Sequence, residues 1–372
     1  MKKKILVFHK SLAIYRVDFF NAVHENFNAT FYFDDKRPAQ DTFNQFSPNY
    51  IESKCAFKCN YLLKGFKLFG REFRLGINSI ISKEKPNVII CNEYTPITII
   101  VFINYLLSNK KYKLYTISDD SIENSKNRKG IRALVRNIVS KNIDGIIFPS
   151  NEVGTWYKNN ISSKPKTLVL PIIHKDEIFR KELKSSLSIA NDYIKLYNLK
   201  GKKNILFVGR LVELKNIKIL LNAVSQISQK NWQLIIVGNG ETMNSLKRQA
   251  LELKIVDKVL FTNKREGLEL HAWYLLAHLF VLPSTFEQFG AVVNEALLAG
   301  CKVLCSEVAG ASTLIRNNNG HLFNPLDQTH LNQLLEEYLQ CENPISENII
   351  TIRKNIMPFS FEEKIDELFS KL

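Results

Sequence analysis

Short apolar runs alternate with longer stretches of helical period along the whole chain. In the first half the runs fall at residues 5–8, 29–33, 88–91, 113–117, 145–149 and 167–170, each followed by a turn-rich break and an amphipathic stretch. The pattern restarts at residues 204–208 and continues at 233–237, 258–261, 279–282, 302–306 and 320–323. Strands apolar on both faces and joined by helical crossovers predict parallel sheets covered on both sides. Residues 185–203 are polar, weakly periodic and end in GKKN, which reads as a linker and a fresh domain start. The predicted fold class is α/β: two doubly wound, Rossmann-like domains facing a central cleft. Their predicted bounds are residues 1–184 and 185–358. A last helix in residues 359–372 has apolar positions at 361, 365, 368, 369 and 372, so one face should pack, back on the first domain.

Length agrees with two cores, since 372 residues exceed what one ordinary core serves. Composition is that of a folded protein, 45% hydrophobic and 23% charged. Charge changes the picture more. The chain carries +15, with 31 basic against 17 acidic residues up to Lys184 and 20 against 19 beyond it. A basic first half draws anionic partners: nucleic acid, phospholipid headgroups or a phosphorylated substrate. The apolar run near the start, residues 5–8, is too short for a signal-peptide core, and no stretch approaches a membrane span. A cytoplasmic protein, free or peripheral on the inner face of the membrane, is expected. Cys55, Cys59, Cys91, Cys301, Cys305 and Cys341 lack partners at zinc-ligand spacing and read as reduced thiols.

The chemistry-bearing motifs lie in the second half. FVGRLVELKN reads strand, glycine turn and helix, with Gly209, Arg210 and Lys215 at the turn, where cations and backbone N–H groups suit a pyrophosphate. LIIVGNGETM repeats the pattern with Gly238 and Gly240. In VLPSTFEQFGAVVNEALLAG, seven residues separate Glu287 from Glu295. Glu287 falls in the turn after a strand, and Gly290 opens a helix whose first N–H groups suit a phosphate. Glu295 projects from about the second turn, placed to accept from both ribose hydroxyls.

These residues, with Gly310 and the GHLFNPLD segment, resemble in order and spacing the E-x7-E motif of family-4 retaining glycosyltransferases. The resemblance covers about residues 205–327. It implies a GT-B fold and transfer of a sugar from a UDP- or GDP-linked donor with retention of configuration and no metal. Arg210 and Lys215 would hold the diphosphate, and the backbone at Phe289, Gly290, Ala291 and Val292 would contact phosphate and sugar. Glu287 would touch the transferred sugar, and Glu295 the ribose. The setting it implies is capsule, lipopolysaccharide or exopolysaccharide biosynthesis, with a glycan or lipid-linked acceptor on the basic first domain.

The resemblance fades in that domain. A glycine-rich loop common in the family after the first strand is absent, and so is a His that relatives place near Ser118. YRVDFFNAV instead resembles a subgroup with a Tyr-Arg pair, Tyr15–Arg16, leading into the first helix. Arg16 either reaches a phosphate or caps its own helix. His9 ends a strand and so faces the crevice of a parallel sheet. Asp119 and Asp120 either orient an acceptor or are solvated loop acids. Residues 64–85 and 125–142 interleave Phe66, Leu68, Phe69, Phe73, Ile131, Leu134 and Ile138 with Lys64, Lys67, Arg71, Arg132 and Arg136. Both read as basic amphipathic helices, lying on an anionic bilayer or simply covering the sheet.

Two other functions compete with this reading. A nucleotide-sugar epimerase shares the GT-B architecture but does not call for a basic acceptor half. A basic nucleic-acid-binding protein would need aromatic platforms among its Lys and Arg residues, or a recognised binding motif, and neither is evident.

Overall fold

The computed structural model describes residues 2–34, 48–68, 70–316, 318–341, 345–346 and 351–372. It divides into two compact units, Met1–Ile172 with Glu362–Leu372, and Ile173–Phe361.

The first unit is built on β1 (Lys4–His9), β2 (Asn28–Phe33), β3 (Cys59–Tyr61), β4 (Gly65–Leu68), β5 (Arg71–Arg74), β6 (Val88–Asn92), β7 (Lys113–Ile117), β8 (Gly145–Phe148) and β9 (Lys166–Val169). Seven of these strands form one parallel sheet in the order β3-β2-β1-β6-β7-β8-β9. β1 and β6 are buried almost throughout, as strands covered by helices on both faces must be. From Glu362 the chain returns to this unit, where the Phe369 ring meets Phe27 at 4.9 Å and Lys166 Nζ donates to the Lys371 carbonyl.

Two expectations are corrected here. Residues 64–85 are not one amphipathic helix: β4 and β5 form an antiparallel hairpin, followed by a helix at Ile77–Glu84. The alternation of Gly65, Phe66, Lys67 and Leu68 has period two, and Phe66 stacks on its cross-strand partner Phe73 at 5.6 Å. Phe69 lies outside the described residues. Residues 125–142 are helical, at Ile122–Asn127 and Gly130–Asn142, but the second helix sorts its faces unexpectedly. Arg136 turns inward, donating to the Ser125 carbonyl at 2.6 Å and lying over Trp156 and Tyr157. Ile131, Leu134 and Ile138 are 80%, 59% and 47% exposed.

The second unit contains β10 (Lys203–Val208), β11 (Trp232–Val237), β12 (Val259–Phe261), β13 (Leu279–Leu282), β14 (Lys302–Ser306) and β15 (Gly320–Phe323). They form a parallel sheet in the order β12-β11-β10-β13-β14-β15. The unit starts at Ile173, ahead of the expected Lys184 boundary, because Phe179 and Leu183 are buried in it and Arg180 donates to the Leu298 carbonyl at 2.8 Å. Residues 185–203 are not a plain linker either. A helix at Leu187–Leu196 buries Ala190, Tyr193 and Ile194, with the Tyr193 ring 4.6 Å from Trp273.

Strand order reverses once in each sheet, between β1 and β6 and between β10 and β13. Ligands of open α/β sheets bind beyond the carboxyl ends of the strands at such switch points. Among the described residues no helix is long and apolar enough to cross a membrane, and all six cysteines are free thiols.

Candidate functional site

In the second unit the ends of β10 and β13 bring together residues far apart in sequence. Gly209 and exposed Arg210 follow β10. Gly238 follows β11 and must be a glycine, because a Cβ there would run into the Gly209 carbonyl oxygen. The turn is further tied by Leu211 N–H donating to the Asn239 carbonyl at 2.9 Å. A short 3-10 turn, Glu213–Lys215, carries Lys215 to Glu287, and the two form an ion pair with only 15% of each side chain exposed.

Glu287 is fixed by its backbone. It bridges Ala309, and its carbonyl accepts from Gly310 N–H at 3.2 Å. Ala311 N–H donates to the Phe289 carbonyl at 2.6 Å, locking the loop before the helix Ala291–Leu298. Gly290 starts this helix at φ +95°, where a side chain would be strained, and supplies no side-chain cap to the amides that follow. Phe289 is buried, while Ala291 and Val292 are half-buried.

Glu295 lies one turn further on, its side chain 17% exposed. Oε2 accepts from the Tyr274 hydroxyl at 2.6 Å, and Oε1 lies 3.3 Å from His174 Nε2. Burial pushes the carboxyl up, but His174 and Tyr274 outweigh it and hold Glu295 below the ordinary carboxylate range. His174 is fixed in turn, its backbone N–H donating to Oδ1 of fully buried Asn294 at 2.9 Å. A carboxylate has about four acceptor positions, so two bonds leave Glu295 able to accept from another ligand.

In the first unit His9 ends β1 and is 5% exposed, its ring edge-on to Phe20 at 5.4 Å. Burial lowers its pKa to about 4. Arg16 neither caps its helix through its side chain nor stands open to a phosphate: it is buried and paired with Asp119. Tyr15 lies beside the same carboxylate, and burial with that negative charge raises its hydroxyl. Asp119 and Asp120 are not solvated loop acids. Asp120 accepts from Arg128 and Ser125, each at 2.9 Å, and from Tyr157 at 3.2 Å.

Sequence reasoning passed over His174, Tyr274, Asn294 and Glu93. Glu93 was legible by the rule that singled out His9, since it directly follows the apolar run that became β6. His174 and Tyr274 gave no local signal.

Comparison with known proteins bears on the second unit first. Residues 191–355 match the family described as glycosyl transferases group 1. An uncharacterized glycosyltransferase of Methanocaldococcus jannaschii is 37% identical over 117 residues, 31% of this chain and 30% of the relative. The alpha-monoglucosyldiacylglycerol synthase of Streptococcus pneumoniae is 30% identical over 184 residues, 47% of this chain and 40% of the relative. The chain thus spans well under half the length of these two curated relatives. Anabaena Alr3699/HepE, solved in complex with UDP, superposes with a TM-score of 0.75 at 15% identity, covering 99% of this chain and 100% of that one. Such likeness gives the fold, two parallel-sheet Rossmann-like units of the GT-B kind. On that fold, residues 191–355 of this chain are a glycosyltransferase group 1 domain.

Proposed function

We propose that the chain transfers a sugar from a nucleotide diphosphate-sugar, UDP- or GDP-linked, to a glycan or lipid-linked acceptor, with retention of configuration and without a metal. One observation carries the reading: at the switch point of the second unit, Lys215–Glu287, Arg210, the start of the helix Ala291–Leu298 and Glu295 all lie at the carboxyl ends of β10 and β13. The cations and uncapped amides suit a diphosphate, and they would offset the charge that grows on it as the glycosidic bond breaks. Lys215 spends one of three N–H donors on Glu287, keeping donors for phosphate. Glu295 would hold the ribose, and Glu287 the transferred sugar. HepE was solved with UDP, which favours UDP among the nucleotides.

A membrane-side acceptor is the finer part of this reading. Exposed Ile131, Leu134 and Ile138 lie at helical spacing on Gly130–Asn142, flanked by exposed Lys126, Lys129 and Arg132. Apolar residues one helical turn apart beside cations suit an anionic bilayer. The pneumococcal relative's name, with its diacylglycerol, agrees with a lipid acceptor. A role in surface-polysaccharide or glycolipid assembly on the inner face of the membrane follows.

The test is calorimetric titration with UDP, GDP, ADP and CMP. Selective binding of one diphosphate, weakened by about 1–3 kcal/mol in Glu295→Ala, is expected for a lost charge-assisted bond. Wild-type protein that binds none of them would sink the reading. Flotation with phosphatidylglycerol vesicles, set against Leu134→Asp, checks the membrane part.

A further inference from the structure

Cys55 and Cys59 stand in the first unit at the two ends of a tight loop, between the short helix Pro48–Ser53 and the edge strand β3. The loop is held from several sides. Asn21 accepts from Ala56 N–H at 2.8 Å through Oδ1 and donates to the Lys54 carbonyl at 3.0 Å through Nδ2. Phe57, at the loop's centre, is buried, its ring stacked on Phe31 at 3.9 Å and edge-on to Phe20 at 6.2 Å. Cys55 N–H donates back to the Glu52 carbonyl at 3.0 Å, and Cys59 is fixed opposite Phe31 in the β2–β3 ladder. The Glu52 carboxylate accepts from the Tyr61 hydroxyl at 2.5 Å, which ties the helix to β3 beyond the loop.

This frame brings the two thiols together, with the Cys55 side chain hydrogen-bonded to that of Cys59. Cys55 Sγ also lies 3.5 Å from the Ile51 carbonyl. Both residues are half-buried, so a small reagent can reach them. The other four thiols are placed differently: Cys91, Cys301 and Cys305 are buried, and Cys341 is exposed at the end of the helix Gln328–Cys341.

The two sulfurs are not equivalent. The hydrogen bond from Cys55 holds the Cys59 thiol below its ordinary range, against burial and the Glu52 charge. The same bond, with burial added, pushes the Cys55 thiol up. Cys59 is thus the readier thiolate, and the thiolate is the form that attacks. Because folding has already ordered the loop, the second thiol meets the first at high effective concentration.

We propose that Cys55 and Cys59 form an oxidation site, a dithiol that a hydroperoxide converts to a disulfide, with Cys59 as the attacking sulfur. The Cys59 thiolate attacks one peroxide oxygen; the S–O bond forms, the O–O bond breaks, and the departing hydroxide takes up a proton as water. The Cys55 sulfur then attacks the Cys59 sulfur. The S–S bond forms, the S–O bond breaks, and the hydroxyl leaves with the Cys55 proton as a second water. The dithiol gives up two electrons and two protons, and the peroxide is reduced. The cross-link joins the end of a helix to the first residue of an edge strand, around a buried Phe57 that anchors the loop. No residue of the second unit's candidate site takes part, so the proposal stands apart from the transferase reading.

Mass spectrometry tests this on the reduced full chain, treated with hydrogen peroxide and then blocked with iodoacetamide. Trypsin cuts after Lys54, Lys58 and Lys64, so residues 55–58 and 59–64 become separate peptides that a disulfide alone would hold together. That linked pair is expected, released by dithiothreitol, with Cys341 still alkylated. In Cys55→Ser, Cys59 has no partner thiol and should be trapped by dimedone as the sulfenic acid at least about tenfold faster than Cys341. Cys59→Ser should leave Cys55 alkylated. Wild type alone decides the matter should a variant not fold. Cys55 and Cys59 alkylated as fully as Cys341 after peroxide, or a disulfide to Cys341 instead, overturns the proposal. So does Cys59 reacting no faster than Cys341 in Cys55→Ser, or Cys55 oxidised in Cys59→Ser.

Discussion

Tyr274→Phe isolates the support of Glu295 from Glu295 itself. Tyr274 is fully buried, and its hydroxyl gives Glu295 Oε2 a hydrogen bond of 2.6 Å. The substitution removes one oxygen, keeps the ring and leaves the carboxylate with His174 Nε2 at 3.3 Å. Hydrogen bonds to a charged group contribute about 1.5–3 kcal/mol. The Glu295 side chain is 17% exposed, so water can take part of the lost role. The expected cost is therefore near the lower end, about 1.5 kcal/mol at neutral pH.

The pH dependence separates this from a simple packing loss. Glu295 is held below its ordinary value of 4.5. A carboxyl with a depressed folded pKa contributes stability above its unfolded pKa, and that stability is lost as pH falls through the folded value. Tyr274→Phe raises the folded pKa, so the gap between variant and wild type should be full at pH 7 and shrink from about pH 4.5 downward. Urea denaturation across that range reads the gap directly. Calorimetric titration should show UDP binding about 5–10-fold weaker, the equivalent of roughly 1–1.4 kcal/mol. A stability gap of the same size at every pH, or unchanged UDP affinity, would refute the claim that Tyr274 acts through Glu295.

Gly238→Ala should destabilise the second unit by about 1–3 kcal/mol, since the new Cβ must displace the Gly209 carbonyl; thermal melting and UDP titration should fall together. Asp120→Asn should cost about 2–4 kcal/mol by removing the charge that faces Arg128, a loss visible in urea denaturation. Glu93→Gln should behave oppositely. Its carboxyl has a raised folded pKa, so the acid form is stabilising below the unfolded pKa and that contribution is lost as pH rises to about 7. The variant should be close to wild type near pH 4 and more stable than wild type at pH 8. A Glu93→Gln stability advantage that does not grow with pH would refute the assignment.

Most of the fold was legible because both sheets are parallel and buried on two faces, which leaves unbroken apolar runs such as those of β11 and β13. β3 was missed because Cys59–Tyr61 is short, half-exposed at the sheet edge and carries no apolar run. The hairpin β4–β5 was read as a helix because its period-two segments are only four residues each, too short to outweigh the basic-apolar interleaving around them. In the candidate site, the residues of the second unit were legible as a linear motif, since Glu287, Gly290 and Glu295 lie within one turn and one helix. Their supports were not. His174 meets Asn294 across 120 residues and Arg16 meets Asp119 across 103, and no spacing rule reaches that far.

Charge shows the same limit from another side. The basic excess of the first half pointed to a phosphate-bearing ligand, yet charge counted along a chain carries no position. In the structure Arg16, Arg128 and Arg136 are consumed by Asp119, Asp120 and a backbone carbonyl. Exposed Lys126, Lys129, Arg132 and Lys141 lie on or beside the outer helices, while exposed Lys10 follows the end of β1. The switch point of the second unit gathers Arg210, Lys215 and the uncapped start of a helix, which are donors. Net charge therefore describes the surface as a whole, and the pairing of each buried ion decides what each site can bind.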